Sequence, residues 1–256
     1  GRTLVPGGYT VGIKLYAEGL MVTEVEPDAP AQRAGLRRGD VILTAGGKKT
    51  ASAQALLDSI QSAEPIVVRV ERGGREAEFL VTPEKTPSGY RLGVLVRDHI
   101  AGIGTVTFLT SDGTTFAGLG HGICDTDTGK LIPMKRGSIT GVTVSQIVRG
   151  QPGTPGEIKG YFGAEKIGAL IGNSHCGVFG MLTEKPANIP EGPFPVAKPE
   201  EVRAGDAYIW CTMNAGEPQK YAVKLSAIDC SATGNKCFTV TITDPKLLEV
   251  SGGIVQ

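Results

Sequence analysis

Apolar residues in the first third of the chain follow both helical and strand-like spacing. A helix is predicted after Ser52, because serine is a common N-cap residue and the apolar positions that follow share one helical face. Those positions are Ala53, Leu56, Leu57 and Ile60. A shorter helix is predicted at residues 31–34, ended by Gly35. Runs rich in valine, isoleucine and leucine predict strands at residues 22–25, 41–43, 66–70 and 77–81, the last two joined by a hairpin turn.

The remaining two thirds of the chain show a different pattern, typical of β structure. Short apolar runs are separated by Gly, Asp and Asn turns, and the helical signal is poor throughout. The runs lie at residues 92–96, 104–109, 140–148, 207–213, 221–228 and 237–242. Residues 83–88, which include Pro83 and Pro87, are predicted to be a linker. The pattern favours a β-barrel or β-sandwich behind a small α+β domain.

Composition narrows the classes of function. The chain has 256 residues, 40% of them hydrophobic, with 26 basic and 26 acidic side chains. No basic stripe indicates a nucleic-acid surface, and no apolar run is long enough to span a bilayer. Gly1-Arg2-Thr3 opens directly onto domain-like sequence with no signal peptide, so we expect a fragment whose targeting segment has been removed.

The cysteines bear on disulfides and metals. Their number, five, excludes a fully paired framework within one chain. Cys230 and Cys237 flank a predicted hairpin loop, where they form a disulfide or remain two free thiols. Residues of zinc-ligand type occur at His121, Cys124, His175 and Cys176, but their spacing does not form a structural zinc pattern. We expect no metal and no cofactor.

One histidine lies inside a glycine-rich run, directly after a β-rich segment. The run is Phe116-Ala117-Gly118-Leu119-Gly120-His121-Gly122. Glycines let the backbone turn tightly and let a substrate approach closely, and an imidazole held there can act as a general base near neutral pH. The alternative is a packed or exposed histidine in a glycine-rich turn.

Three motifs in the first third of the chain resemble a PDZ domain of the bacterial protease-associated type. They are Val25-Glu26-Pro27-Asp28-Ala29-Pro30-Ala31, Ala34-Gly35-Leu36 and Arg38-Gly39-Asp40-Val41-Ile42. The resemblance implies that a loop formed by Thr10, Val11, Gly12 and Ile13 binds a peptide C-terminus through backbone amides. The peptide would add to the strand that begins at Ile13 and lie against the Ser52 helix, where Leu57 supplies an apolar wall. The alternative is a PDZ fold used only as an internal docking surface.

Further motifs resemble the peptidase family of stage IV sporulation protein B, and this resemblance covers nearly the whole chain. They are Val5-Pro6-Gly7-Gly8, Arg97-Asp98, Ala101-Gly102-Ile103-Gly104-Thr105, Leu119-Gly120-His121 and Gly252-Gly253-Ile254-Val255-Gln256. Those proteins pair a PDZ domain with a serine peptidase domain of the chymotrypsin-like clan. The resemblance implies a mainly β chain, with an α+β PDZ domain at residues 1–83 and a chymotrypsin-like double β-barrel at residues 84–256.

The resemblance also implies the catalytic groups. His121 matches the general base of the family, and Asp244, in Thr243-Asp244-Pro245, matches the acid that orients it. The family's serine follows Gly-Ile-Val-Gln in a Gly-x-Ser-Gly motif, so the nucleophile is expected beyond Gln256 and the chain as printed is expected to be inactive.

Other residues compete for these roles. Ser251 precedes two glycines, but Glu249 stands where a glycine normally opens the turn, so we interpret it as a hydrogen-bonded turn serine. Asp125 and Asp127 are alternative acids, more simply explained as turn residues. His175 is the rival histidine and His99 a structural or exposed one.

The function implied by the family is that of a sporulation signalling protease. Such an enzyme acts in the extracytoplasmic space between the mother-cell and forespore membranes. It cleaves a regulatory membrane protein and so releases an intramembrane protease that activates a mother-cell sigma factor. Membrane anchoring of the full-length protein and binding of its own N-terminal segment in the PDZ groove are further expectations. The alternatives are a non-catalytic PDZ–barrel adaptor that binds peptide C-termini, and a peptidase that cuts only its own chain.

Overall fold

A computed structural model describes residues 1–125, 129–186, 189, 191–213, 216–229, 231 and 236–253. The fold is mainly β, as the sequence predicts. The strands are β1 (Thr3–Pro6), β2 (Thr10–Val25), β3 (Val41–Ala45), β4 (Lys48–Lys49), β5 (Ile66–Arg72), β6 (Arg75–Val81), β7 (Glu84–Thr86), β8 (Gly89–Arg91), β9 (Val94–Thr110), β10 (Thr115–Gly118), β11 (Met134–Val148), β12 (Glu157–Ser174), β13 (Gly177–Leu182), β14 (Phe194–Pro195), β15 (Gly205–Cys211), β16 (Gln219–Ser226) and β17 (Thr239–Ile242). The helices are α1 (Pro30–Ala34), α2 (Ala53–Asp58) and α3 (Pro245–Ser251), and Pro199–Glu201 forms a 3₁₀ turn.

The chain divides into two compact units by spatial contacts. The large unit contains Gly1–Ile13, Ala101–Gly122 and Ser138–Gln256, and the small unit contains Lys14–Ile100 and Ile123–Gly137. The strands β2, β9 and β11 each contribute residues to both units. This partition assigns the first thirteen residues to the large unit. The sequence-based division into residues 1–83 and 84–256 stays a prediction.

The small unit is an α+β structure whose elements follow the sequence pattern closely. Its strands lie in the order β2-β3-β5-β6, with β4 beside β3. Ser52 caps α2, because its Oγ accepts a hydrogen bond from the Ala55 amide at 3.1 Å. Gly35 ends α1 in the left-handed conformation, with φ of 97°. Leu20, Ile42 and other fully buried aliphatic side chains form the core.

The large unit is built from antiparallel strands. One group has the order β14-β1-β9-β10-β13-β12-β11, and a second sheet has the order β15-β16-β17. The helix α3 follows β17, and its Leu247, 2% exposed, packs with buried Met213 and Tyr221. The sequence predicts no helix in this region, so α3 is a correction. Asp244 at the N-cap, Pro245 in the first turn and a glycine after the last turn were the available signals.

Two other sequence-based expectations concern connections. The predicted linker at residues 83–88 is wrong in part, because β7 and β8 pair there as a short hairpin with Glu84 opposite Arg91. Cys230 lies outside the described residues, so a disulfide with Cys237 and two free thiols stay alternative predictions. Within the described part of the chain, no helix is both long and apolar enough to cross a membrane.

Candidate active site

The glycine-rich run after β10 forms a tight turn that presents His121. Leu119 and Gly120 have φ values of 70° and 73°, in the left-handed region that costs little only for glycine. The Leu119 amide donates to the Thr105 carbonyl at 2.9 Å, which fixes the turn to β9. The His121 side chain is exposed, so the turn positions an imidazole that solvent and substrate can reach.

The hydrogen bonding of the His121 imidazole determines which ring nitrogen is free to accept a proton. Nδ1 of His121 lies 3.1 Å from the carbonyl oxygen of Gly122. A carbonyl only accepts, so Nδ1 carries the proton in this contact. The Nε2 atom of that tautomer has a free lone pair, which is the form that a general base requires.

Asp244 begins helix α3 and uses its carboxylate as the N-cap. Oδ1 accepts from the Lys246 amide at 2.9 Å and from the Leu247 amide at 3.3 Å. The Asp244 amide donates to the Ala222 carbonyl at 3.1 Å, which holds the start of the helix against β16. The half-buried carboxylate therefore has a fixed position set by both a helix and a strand.

The charge on Asp244 also acts on its neighbours. Burial first, and then the charge on Asp244, raises the pKa of the Cys211 thiol to about 11. Burial, with smaller contributions from Cys211 and Asp244, raises the pKa of Tyr221 as well. The Cys211 thiol is thus held protonated at neutral pH and is a poor nucleophile.

The structure does not join the two predicted catalytic side chains by a hydrogen bond. His121 bonds the Gly122 carbonyl, Asp244 bonds the first turn of α3, and neither bonds the other in the described part of the chain. Both residues belong to the large unit. Their pairing as base and orienting acid stays a prediction.

Ser251 is not accessible as a nucleophile. It is the last residue of α3 and is 0% exposed. Its Oγ donates to the Leu247 carbonyl at 2.7 Å and accepts from the Gly253 amide at 3.2 Å. The predicted hydrogen bonding of Ser251 is confirmed, but the residue ends helix α3 rather than lying in a turn.

The rival histidine loop lies against the His121 turn, which the sequence did not indicate. Gly177, at the end of this loop, packs so closely that a Cβ on it would lie 2.6 Å from the Gly118 carbonyl oxygen and 3.3 Å from the Gly120 amide. His175 on the same loop is exposed. The strand pairing of β10 with β13 brings these two turns together.

The other competing residues have local partners. His99 Nδ1 lies 2.7 Å from Asp98 Oδ1, and this hydrogen bond lowers the pKa of Asp98. The backbone of Asp125 holds a turn, accepting from the Gly129 amide at 2.9 Å. Asp127 lies outside the described residues.

The segment expected to bind a peptide C-terminus is a strand rather than a loop. Thr10 begins β2, and Val11 and Ile13 are each only 5% exposed. A Cβ on Gly12 would lie 2.3 Å from a ring carbon of Phe162 and 2.4 Å from Thr140 Oγ1. The expectation of a loop at this position is therefore wrong, because Gly12 lies within a strand and is covered by Phe162.

Leu57, the other residue assigned to peptide binding, lies on the predicted helix and is accessible to solvent. It lies on α2 in the small unit and is 47% exposed. Gly12 belongs to the large unit. The peptide-binding role of these residues stays a prediction.

The chain is similar to known protein families and to characterised proteases. The family model described as SpoIVB peptidase S55 matches residues 88–256, and a PDZ domain model matches residues 21–72. The chain is 38% identical over 68 residues to "Serine protease HTRA2, mitochondrial" from Bos taurus, covering 27% of this chain and 15% of that protein. It is 37% identical over 78 residues to "Probable periplasmic serine endoprotease DegP-like" from Chlamydia trachomatis, covering 29% and 15%.

One structural similarity concerns a small domain. The PDZ domain of the SdrC-like protein from Listeria monocytogenes aligns with a TM-score of 0.29 and 23% identity, covering 32% of this chain and 90% of that domain. The matched segments span only about 15% of the length of the serine protease relatives named above.

The family matches define the class as chains that combine a PDZ domain with an S55 peptidase domain. The S55 match covers about two thirds of the chain and includes both His121 and Asp244. The chain belongs to the SpoIVB peptidase S55 family.

Proposed function

We propose that this protein is a serine endopeptidase in which His121 is the general base and Asp244 the acid that orients it. The observation that carries the proposal is the S55 match across residues 88–256, which contains both groups. The exposed imidazole, with its Nε2 lone pair free, supports the assignment of His121. A local change in the turn that releases Nδ1 from the Gly122 carbonyl would make it available to a carboxylate.

The proposed chemistry needs a serine in the Gly-x-Ser-Gly segment that the family carries after Gly-Ile-Val-Gln. His121 Nε2 takes the proton from the serine Oγ, and Oγ attacks the carbonyl carbon of the scissile peptide bond. The C–N bond then breaks, and the imidazolium returns the proton to the leaving amine. A water molecule, activated by the same nitrogen, hydrolyses the acyl-enzyme and regenerates the serine.

The biological role that we propose is sporulation signalling outside the cytoplasm. The substrate would be a regulatory membrane protein whose cleavage triggers intramembrane proteolysis and activates a mother-cell sigma factor. Processing of the protein's own N-terminal region is part of the same proposal. The family membership supports this role, and the PDZ domain supports delivery of a protein substrate.

A second candidate function is favoured by one observation. Because His121 and Asp244 bond separate backbone groups, the arrangement also suits a non-catalytic adaptor whose PDZ domain binds peptide C-termini. The two candidates differ in a single measurable property, which is turnover.

The test uses the gene-encoded protein with any residues that follow Gln256, assayed on an unfolded protein substrate. We expect His121→Gln and Asp244→Asn to lower kcat/KM by roughly 10³-fold or more. Asparagine caps helices as well as aspartate does, so Asp244→Asn removes the charge while leaving α3 and the stability of the protein intact. His175→Gln is the matched control on the neighbouring turn, and we expect full activity from it.

Each other outcome has a definite meaning. Activity lost in His175→Gln but kept in His121→Gln would move the base to the rival loop. No turnover by the wild-type protein, together with saturable binding of C-terminal peptides, would establish the adaptor.

A further inference from the structure

A cleft of about 630 Å³ opens in the large unit beside the His121 turn. This volume lies within the range of ordinary ligand pockets, roughly 300–1,000 Å³. Leu119 forms part of its wall, and the strand β15 and the segment that contains β14 form other parts. The sequence predicts no ligand-binding role for these residues.

Aromatic rings dominate one side of the cleft. Tyr208 and Trp210 are two residues apart on β15, so both project to the same face. Phe194 of β14 also lines the cleft. Tyr208 is 62% exposed and Phe194 is 44% exposed. Large exposed rings that border one cleft indicate a surface that another molecule covers.

The charges in the cleft neutralise each other. Lys220 lies opposite Trp210 in the pairing of β15 with β16. Its Nζ is 2.9 Å from Glu191 Oε2 and 4.7 Å from the centroid of the Tyr208 ring. Since the ammonium and the carboxylate are already paired, the remaining contact area on this wall is aromatic and aliphatic. The occupant that fits is therefore uncharged and apolar.

The position of the cleft connects it to the proposed chemistry. Leu119, in the cleft wall, is two residues from His121, which limits the separation of their Cα atoms to about 7 Å. The hydrogen bond from the Leu119 amide to Thr105 fixes this part of the wall. A side chain in the cleft would thus hold its own polypeptide backbone close to the imidazole.

We propose that this cleft binds one large apolar side chain, of leucine or phenylalanine size, from a substrate polypeptide. The inference rests on the proposed function, because it is the peptidase assignment of His121 that makes a polypeptide the occupant. The contacts that select the side chain are the rings of Tyr208, Trp210 and Phe194. Lys220 and Glu191 also line the cleft, and because they pair with each other they leave no unpaired charge between them for an ionic side chain.

The experiment uses Trp210, which is the single tryptophan of the chain and reports directly on the cleft. Blocked peptides that differ at one central residue (Phe, Ala, Arg or Glu) are titrated into the protein while Trp210 fluorescence is recorded. We expect a saturable change with the Phe peptide at affinity at least about tenfold above the Ala, Arg and Glu peptides.

Two variants locate the binding. Tyr208→Ala should weaken binding of the Phe peptide by about tenfold, and the exposure of Tyr208 makes misfolding of this variant unexpected. Tyr161→Ala is the control, because Tyr161 is a 72% exposed tyrosine on β12 that does not line the cleft. We expect wild-type affinity from it.

Four results would overturn the inference: no fluorescence change with the Phe peptide, equal affinity for the Ala peptide, tighter binding of the Arg peptide, or unchanged binding by Tyr208→Ala. Failure of the proposed function is a separate result. The Phe peptide would then bind at the cleft without being cleaved by the gene-encoded protein. Conversely, turnover that shows no preference for Phe and no effect of Tyr208→Ala would leave the peptidase intact and reject the cleft.

Discussion

Removing the Arg72 guanidinium should destabilise the small unit far more than removing that of Arg69, three residues earlier on the same strand. Arg72 Nε lies 2.7 Å from Asp40 Oδ1 and its terminal nitrogen lies 2.8 Å from Oδ2, so the pair is bidentate. The Asp40 side chain is 1% exposed. The same guanidinium donates to the Gly35 carbonyl at 2.8 Å and lies 4.7 Å from the centroid of the Phe79 ring.

The magnitude follows from the burial of Asp40. In Arg72→Met, the carboxylate stays buried and keeps only the Arg37 amide, 2.9 Å from Oδ2, as its identified partner. Leaving one member of a buried ion pair uncompensated costs about 3–5 kcal/mol. We expect about 3 kcal/mol, the lower end, because one third of the Arg72 side chain is exposed and water can partly replace it.

The control removes a comparable guanidinium from the protein surface. Arg69 is 47% exposed, and its Nε lies 3.2 Å from Glu78 Oε1. Exposed ion pairs contribute at most about 1 kcal/mol. Arg69→Met should therefore leave the stability within about 1 kcal/mol of wild type.

The assay must resolve the two units, so we suggest hydrogen–deuterium exchange by mass spectrometry on peptides from β3 and β5, alongside urea unfolding followed by circular dichroism. Arg72→Met should accelerate exchange in these strands. The double variant Asp40→Leu/Arg72→Met should recover part of the loss, because it removes the unpaired charge. Equal effects of Arg72→Met and Arg69→Met would refute the reasoning, since burial of the partner would then not determine the cost.

Three further predictions follow from the large unit. Gly12→Ala should destabilise the protein by about 1–3 kcal/mol, because the added methyl carbon would lie 2.3 Å from a ring carbon of Phe162. Gly102→Ala is the control and should leave stability unchanged, because no atom lies within 4 Å of its added methyl carbon. Equal urea midpoints for the two variants would contradict this prediction. Ser251→Ala should lower stability by about 1 kcal/mol and leave the kcat/KM of the gene-encoded protein unchanged, so lost activity in a folded variant would count against a structural role. Because the pKa of Cys211 is about 11, only about one part in a thousand of its thiol is ionised at pH 8. Iodoacetamide should therefore label the exposed Cys176 first, and should label Cys211 faster only as the pH rises towards 11. Rapid labelling of native Cys211 at pH 8 would contradict the burial of its thiol.

Local signals in the sequence predicted the helices and most strands of the small unit, but not its β7–β8 hairpin. The cap at Ser52 and the left-handed end at Gly35 are short-range features, and each depends on a residue type with few alternatives. The strands β3 and β5 contain apolar runs, and Val68 and Val70 of β5 are fully buried. Capping residues of this kind can be recognised from the sequence without knowing which residues pack around the helix.

The large unit could be predicted less well, because its decisive contacts join distant residues. Phe162 covers Gly12 from 150 positions away, so no local pattern could distinguish a covered glycine from an open one. The contact between the His175 loop and the His121 turn likewise depends on the register of β10 with β13. The helix α3 was different, since Asp244 and Pro245 carry a start signal that the β-rich surroundings obscured.

Because Asp244 caps helix α3, the helix sets the distance between this carboxylate and Gly252. Its seven residues extend over about 10 Å, from the carboxylate at one end to Gly252 at the other. The position of the carboxylate and the direction in which the chain leaves the helix are therefore set by one element. One residue inserted directly after Glu249 would rotate the backbone that follows the helix by about 100° and advance it by about 1.5 Å, without changing Asp244 or Gly252. Such an insertion would change the distance between the Asp244 carboxylate and Gly252 while leaving both residues unchanged.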